Sequence, residues 1–289
     1  MALFVYIAHV NDYFKQEGLE AEMQPHTFGK VALQAVIEGR ADVATAADTP
    51  VMLAIMNGER INILATIGTS NRNTAIIARK DRGITAPSDL KGKKIGVALG
   101  TTSDFLTDSF LKAHGIENKQ VKIIDMTPDK MVAALNTGKI DAASLWNPPL
   151  RQLQNELGDK GLSFYGEMYF SETFCIAAKT DFVEEHPEAT KKFLRAIIKA
   201  EEFVREHPED ARRLSAEFIK LDRNILDQIW DIYNFRVTLD QALIVDLEDQ
   251  TRWAIKNRLV ARRDMPNYLD FIYMDGLLAV KPDTVRIIR

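Results

Sequence analysis

The length and composition of the chain indicate a folded protein of about two domains. It has 289 residues, and at roughly 150 residues a domain this length suggests two. Apolar residues make up 46% and charged residues 27%, a globular composition that excludes a disordered chain. Lysine and arginine total 37 against 41 aspartates and glutamates. This near balance offers no phosphate-neutralising surface, so nucleic acid is not an expected partner.

Cysteine, histidine and the N-terminal residues indicate neither a metal site nor a membrane segment. Cys175 has no partner for an internal disulfide, and in an apolar strand we expect it to be a buried, inert thiol. The histidines are scattered without metal spacing, so no metal and no cofactor is expected. No apolar run approaches the roughly 18 residues of a membrane span. Residues 1–8 lack a basic flank and a cleavage site and make a poor signal peptide, although removal of an earlier signal stays open.

In chain order, short apolar strands alternate with helical patterns, which is typical of a parallel α/β sheet. The first predicted elements are a helix over 2–16, a strand at 20–23, a helix at 30–38, a strand at 42–45, a helix at 50–56, and strands at 61–67 and 74–79. The next are strands at 94–98, 121–125, 141–145 and 174–178 and helices at 103–113, 128–135 and 149–157. Beyond Lys179 amphipathic patterns predict a helical C-terminal part, with helices starting at Pro187 and Pro208.

An internal repeat relates the two halves of this alternation. The segment Gly39–Thr45 recurs 99 residues later as Gly138–Ser144, and the match extends to Pro50 and Pro149. Each copy reads as a glycine that ends a helix, a basic residue, an aspartate, a small-residue strand, a loop and a helix started by proline. We therefore expect both loops to lie at the carboxyl ends of parallel strands, where open α/β sheets bind ligands. We interpret the repeat as two similar lobes, each presenting one loop to a shared cleft.

Two loops carry candidate ligand-binding residues. Gly100–Asp104 joins a strand to a helix, and its hydroxyls and free amides suit an anion or a polar group; a plain helix N-cap is the alternative. Trp146 ends a predicted strand and could form an apolar or cation-binding wall, or could pack between sheet and helix. Asp48 and Asn147 occupy matching loop positions, where they could also bond their own backbone.

Catalytic patterns are not found in the sequence. The carboxylates show no motif that assigns an acid/base pair. There is no Gly-x-Ser-x-Gly turn for a nucleophile and no Gly-x-x-x-x-Gly-Lys loop for a nucleotide. The sequence therefore favours binding over catalysis.

Several segments together resemble a known family. The run Tyr13–Glu20, the motif Gly39–Asp42, the run Asp89–Val97, the turn Gly100–Ser103 and the ending Tyr268–Lys281 are similar to substrate-binding proteins of ABC importers. The most similar group binds nitrate, sulfonates, taurine and thiamine-pyrimidine precursors. The resemblance covers essentially the whole chain, and its most specific part is the Asp-Leu-Lys-Gly-Lys-Lys-Ile-Gly-Val run.

The resemblance implies a two-lobed α/β fold of the periplasmic-binding-protein type 2 class, with a helical C-terminal part. Residues 1–77 plus 178–289 would form a split first lobe and residues 78–177 the second, with strands at 74–80 and 173–179 crossing between them. A ligand would bind in the cleft, and the lobes would close on it because contacts to both exist only in the closed form. The expected ligand-binding residues are Asp48, Thr49, Thr101, Thr102, Ser103, Trp146 and Asn147.

Two departures from the family pattern concern the N-terminal region. Family members begin with a strand and a ligand-contacting loop before the helix that starts here near Ala2. We expect a longer version carrying that strand to melt at a higher temperature. The second departure is Asn11-Asp12, where the family has a glycine, and we expect it to affect only the end of the helix.

The favoured function is therefore a monomeric solute-binding component of an ABC importer that delivers a small ligand to a membrane permease. The expected location is periplasmic or extracytoplasmic, in association with the membrane. A ligand-sensing domain of a signalling receptor is one alternative. A thiamine-pyrimidine synthase-like enzyme or a lyase of the same fold is another, but the synthase is expected to need a cysteine cluster and this chain has one cysteine. Fold alone does not decide among these functions.

Overall fold

The computed structural model describes residues 2–166, 168 and 170–288. The α-helices of this part of the chain are α1 (Leu3–Val10), α2 (Tyr13–Gln16), α3 (Gly29–Ile37), α4 (Asp48–Met56), α5 (Thr102–Ala113), α6 (Pro128–Asn136), α7 (Pro149–Leu157), α8 (Thr180–Glu185), α9 (Pro187–Glu206), α10 (Pro208–Ile219), α11 (Arg223–Trp230), α12 (Gln241–Lys256) and α13 (Met274–Val280). Its strands are β1 (Val43–Ala47), β2 (Ile61–Ser70), β3 (Thr74–Arg79), β4 (Lys94–Val97), β5 (Lys122–Asp125), β6 (Ala142–Trp146), β7 (Gly161–Phe164), β8 (Glu172–Lys179), β9 (Leu239–Asp240) and β10 (Val285–Arg286).

These elements form two compact units, each built from separate stretches of the chain. The first unit runs up to Thr69, includes Thr173–Arg223 and resumes at Asn234; the second comprises Ser70–Glu172 and Asn224–Tyr233. The predicted lobes have other borders (1–77 plus 178–289, and 78–177), and that division into lobes stays a prediction.

The second unit is built on a five-stranded sheet in the order β5-β4-β6-β3-β7. β4 pairs in parallel with β5 and β6, whereas β3 runs antiparallel to β6 and β7. Successive residues of β3 point to opposite faces, so Ile77 and Ile76 enter two different apolar clusters. The sheet is thus covered on both faces, which explains why its central strands read as continuous apolar runs. The half-buried β7 was not predicted, because it has no such run.

The first unit contains a three-stranded sheet in the order β1-β8-β2. β1 and β8 pair antiparallel, from Val43 opposite Ala178 to Ala47 opposite Phe174. The prediction that both repeat loops follow a parallel strand is therefore correct for β6, which pairs in parallel with β4, and wrong for β1 in the described pairing. Whether a strand pairs in parallel or antiparallel depends on its partner strand, and the apolar pattern of a single strand does not predict it.

The internal repeat is confirmed as a structural repeat. In the first copy α3 ends before Gly39, whose φ is 75°, and β1 leads into α4. In the second copy α6 ends before Gly138, whose φ is 71°, and β6 leads into α7. Both glycines occupy the left-handed region that glycine reaches without steric cost, which is why each copy has glycine there.

Two predictions near the N-terminus are corrected. The helix expected over 2–16 is divided, because α1 ends at Val10 and Asp12 adopts a left-handed conformation with φ of 57° before α2. The strand expected at 20–23 is absent from the described structure, where these residues form neither helix nor strand and are mostly exposed. An apolar-polar alternation becomes a strand only when a neighbouring strand supplies the ladder of hydrogen bonds.

The helical C-terminal part is confirmed. After β8 the described chain forms α8 to α13, and α9 and α10 begin at Pro187 and Pro208 as predicted. Proline suits a first helical position because its fixed φ fits the helix and its missing N–H has no partner there. Two short strands, β9 and β10, pair in parallel within this part.

Candidate functional site

The first candidate region lies at the start of α4, directly after β1. Asp48 is completely buried, and its carboxylate accepts hydrogen bonds from three groups of the first unit. Oδ1 binds the amide of Thr49 at 2.9 Å, while Oδ2 binds the amide of Thr173 at 3.3 Å and Nε2 of Gln250 at 2.8 Å. Asp48 therefore links the first turn of α4 to β8 and to α12, and the last two partners lie far away in the sequence.

Two buried polar atoms in this region lack a protein partner among the described residues. They are Oγ1 of Thr49 and Oε1 of Gln250, on side chains that are 0% and 1% exposed. An unpaired buried polar atom costs roughly 1–3 kcal/mol. Each such atom in a native structure calls for an explanation, and a buried water or a bound ligand is one.

Two further titratable residues, Asp246 and Cys175, lie near Asp48. The half-buried Asp246 accepts a hydrogen bond from the Thr173 hydroxyl at 3.4 Å, and burial raises its pKa to about 6. Cys175 is fully buried in β8 as predicted. Burial and the nearby carboxylates of Asp48 and Asp246 raise the pKa of this thiol well above its usual value, so it is not a nucleophile near neutral pH.

The second candidate region is the turn that begins α5, in the second unit. Thr101 caps the helix, because its Oγ1 accepts the amide of Ser103 at 3.2 Å and donates to the carbonyl of Ala98 at 2.7 Å. The Ser103 hydroxyl donates to the carbonyl of Ser144 in β6 at 2.8 Å, and the Ser144 hydroxyl returns a bond to the carbonyl of Ser103 at 3.1 Å. The Thr101 hydroxyl thus closes the turn, which agrees with the N-cap interpretation, and the Ser103 hydroxyl holds the turn against β6.

A buried carboxyl that sequence reasoning missed lies beside Thr102. Oε2 of Glu172 accepts hydrogen bonds from Nδ2 of Asn73 at 2.6 Å and from the hydroxyl of Thr74 at 2.8 Å, and Thr102 is a further partner. Burial raises the pKa of Glu172 despite these bonds. Oη of Tyr233 donates to Oδ1 of Asn73 at 2.6 Å. No signal in a single sequence connects these residues, because their contacts arise only after the strands pair.

Trp146 and Asn147 lie next to this network. Trp146 is opposite Thr74 in the β3–β6 ladder. Asn147 is bound to the carbonyl of Asn73 through its own amide at 3.1 Å and through Nδ2 at 3.2 Å, and its Oδ1 accepts the amide of Arg151 at 3.2 Å. Of the seven predicted residues, the structure thus connects Thr102 to Asn147 through Glu172 and Asn73, joins Thr101 to Ser103, and joins Asp48 to Thr49.

Neither a metal centre nor a membrane-spanning helix is found among the described residues. Across the described residues, no group of three or more His, Cys, Asp or Glu side chains is arranged to hold a metal ion. In the same part of the chain, every helix is too short or too polar to span a bilayer.

Comparison with known proteins defines the class of this chain. Residues 2–211 match the NMT1/THI5-like family, and the chain belongs to that family. It is 31% identical over 224 residues to a binding protein of Brucella abortus (strain 2308), covering 76% of this chain and 69% of that protein. It is 25% identical over 193 residues to the taurine-binding periplasmic protein of Escherichia coli (strain K12), covering 66% of this chain and 60% of that protein.

A solved structure shares the fold. The alkanesulfonate-binding protein SsuA from Xanthomonas axonopodis pv. citri, bound to MOPS, superposes with a TM-score of 0.82 at 15% identity and covers 94% of each chain. The chain therefore has the periplasmic-binding-protein fold, as the sequence resemblance implied. Because identity is low, this likeness concerns the fold and leaves the ligand open.

Proposed function

We propose that the chain is the solute-binding component of an ABC importer and captures a small sulfonate, nitrate, carboxylate or pyrimidine-like ligand. The observation that carries the proposal is membership of the NMT1/THI5-like family, together with relatives that are named as binding proteins. The buried polar groups at the starts of α4 and α5 support it, since small-molecule sites combine a few fixed polar groups with apolar walls.

We further propose how the predicted residues act. Thr49 has the strongest support as a direct contact, because its buried hydroxyl has no protein partner among the described residues. Thr101 and Ser103 would position the turn, since their hydroxyls already bind the backbone. Trp146 would supply an apolar wall. The remaining proposed residues, which would orient these groups or contact the ligand, are Asp48, Thr102 and Asn147.

The proposal includes the setting in which the protein works. We propose an extracytoplasmic location beside a membrane permease, to which the protein delivers its ligand as a monomer. A catalytic role is not proposed. The thiol of Cys175 is buried with a raised pKa, so it is not available for nucleophilic chemistry.

Native mass spectrometry of the purified protein, followed by thermal unfolding with a ligand panel, tests this function. The panel contains alkanesulfonates, taurine, nitrate, small carboxylates and aminopyrimidines. A ligand at about 100-fold excess over its Kd adds about 2.7 kcal/mol to the free energy of unfolding, which raises the Tm by several degrees. Absence of any bound species and of any shift across the panel would contradict the function.

A variant at Trp146 tests the proposed wall. Trp146→Ala should weaken binding of the stabilising ligand about tenfold, because a buried aromatic contact is lost. Affinity is measured by calorimetry on the folded fraction, with Gln152→Ala, an exposed position in the same unit, as the control. Full affinity in Trp146→Ala removes this residue from the site.

A further inference from the structure

The first unit holds a cluster of hydrogen-bond acceptors that extends beyond the predicted site residues. We define the α12 acceptor cluster as Asp48, Thr49, Asp246 and Gln250, joined by Thr173. Gln250 and Asp246 lie on α12, and neither stands out in the sequence. Thr173 connects the two carboxylates, since its amide binds Asp48 and its hydroxyl binds Asp246. Asp246 is half-buried, so the cluster reaches solvent at this residue.

The Gln250 side chain has a fixed orientation within the cluster. Its Nε2 donates to Oδ2 of Asp48 at 2.8 Å. Rotating the amide by half a turn would place Oε1 against a carboxylate oxygen, and two acceptors would then face each other. Oε1 is therefore held as an acceptor, and it is buried with no donor among the described residues. The group that completes this site must supply an N–H or O–H.

The other polar atoms of the cluster can also bind such a donor, because carboxylate oxygens accept hydrogen bonds and a hydroxyl oxygen can accept as well as donate. The Thr49 hydroxyl is buried without a partner in the described part of the chain. Asp246 accepts one bond from Thr173, and the neighbouring carboxylate of Asp249 raises its pKa further. The cluster thus contains two carboxylates, which Thr173 links, and one unpaired amide oxygen. An incoming oxyanion would meet like charge at short range, whereas a hydrogen-bond donor, best of all a cationic one, is attracted.

We propose that the α12 acceptor cluster binds an amino group of the ligand, with Gln250 and Asp246 as residues that determine specificity. This inference rests on the proposed function and narrows its ligand class. It favours an amino-bearing sulfonate or an aminopyrimidine over nitrate and over sulfonates that lack nitrogen. The shared chemistry is an N–H donor, carried either by an aliphatic ammonium group or by an amine on a heterocycle.

Two matched ligand pairs test the inference by calorimetry at pH 7.5. The first pair is 2-aminoethanesulfonate and propane-1-sulfonate, and the second is 4-amino-2-methylpyrimidine and 2,4-dimethylpyrimidine. Within each pair a methyl group replaces the amino group. The amino member of at least one pair should bind about tenfold tighter or more, the effect of one hydrogen bond to a charged group. The pair that shows this difference in Kd tells whether the site binds an aliphatic ammonium group or an amine on a heterocycle.

Variants test whether the preference for the amino-bearing ligand arises from the α12 acceptor cluster. Asp246→Asn keeps the shape but removes the charge, and it should bring the ratio of the two Kd values close to one. Thr49→Val removes a single hydroxyl and should reduce the ratio in part. The control is Glu248→Gln, which makes the same change of charge on the same helix at a surface ion pair with Arg252, and it should keep the wild-type ratio.

The possible results distinguish failure of the amino-group site from failure of the proposed solute-binding function. If both members of each pair bind within about twofold, or if Asp246→Asn and Thr49→Val keep the full preference, the inference is overturned while the binding function stands. A buried water that satisfies Gln250 would give the latter result. If no compound of the panel binds, the proposed function itself fails, and the inference fails with it.

Discussion

At the scale of single residues, Asp246 couples the stability of the protein to pH. Its ordinary pKa is 3.8, and burial raises it to about 6 in the folded chain. The folded state therefore binds a proton that the unfolded state has already lost between these two values. By linkage, the free energy of unfolding falls as the pH rises from about 4 to above 6.

Asp246→Asn should remove this part of the pH dependence. A difference of two pH units corresponds to about 3 kcal/mol at most, and partial exposure of the side chain reduces it to about 1 kcal/mol. The ligand-free variant should thus be about 1 kcal/mol more stable than the wild type at pH 8 and equal to it below pH 4. Urea unfolding at several pH values measures this difference. Identical pH profiles for the two proteins would contradict the assignment.

Among the secondary-structure elements, the contact between α3 and β1 requires a residue without a side chain, Gly29. A Cβ placed on Gly29, in the first turn of α3, would lie 2.8 Å from Cα of Ala46 and 3.1 Å from the carbonyl oxygen of Thr45. Both neighbours are backbone atoms of β1, so they cannot turn aside. The close approach of helix and strand explains glycine at this position without any need for an unusual φ.

Gly29→Ala should therefore lower the free energy of unfolding by about 1–3 kcal/mol, the usual cost of overpacking. The comparison variant is Gly115→Ala, where the added Cβ meets open space but the backbone has φ of 64°; left-handed strain alone should cost about 1 kcal/mol. Chemical denaturation of both variants measures the costs. A smaller loss at Gly29 than at Gly115 would show that α3 can move away from β1.

At the scale of the whole molecule, one short segment belongs to a unit distant in sequence. Asn224–Tyr233 is grouped with Ser70–Glu172. Its attachments are the bond from Tyr233 to Asn73, a bond from the Ser70 hydroxyl to the carbonyl of Ile232 at 2.8 Å, and a bond from Asn155 to Gln228 at 3.1 Å. The Tyr233 phenol keeps the proton that it donates, because burial and the nearby Glu172 raise its pKa well above the usual value.

Tyr233→Phe should loosen this segment. The change leaves Oδ1 of Asn73 without its phenol donor, and an unpaired buried acceptor costs roughly 1–3 kcal/mol. Hydrogen exchange of residues 224–233 should become faster by about one to two orders of magnitude. Tyr273→Phe, the same chemical change outside the segment, is the control and should leave exchange there unchanged. Equal exchange in all three proteins would exclude the Tyr233–Asn73 bond as the attachment.

The family, most element positions and the internal repeat were predictable from the amino-acid sequence. These features rest on signals between near neighbours along the chain. Gly39 and Gly138 end helices, Pro187 and Pro208 begin them, and apolar runs mark the buried strands. Such signals act within a few residues, so reading them requires no knowledge of distant partners.

The contacts of the buried polar residues were not predictable, because their partners are distant in the sequence. The carboxylate of Asp48 is bound to Gln250, which lies 202 residues away, while its contact with a ligand stays a prediction. Glu172 went unnoticed until pairing placed Asn73 beside it. β1 met an antiparallel partner, and residues 20–23 form no strand. The physical reason is the same in each case: a buried polar group or a strand edge must be satisfied by whatever group folding brings next to it, and that group is encoded elsewhere in the chain.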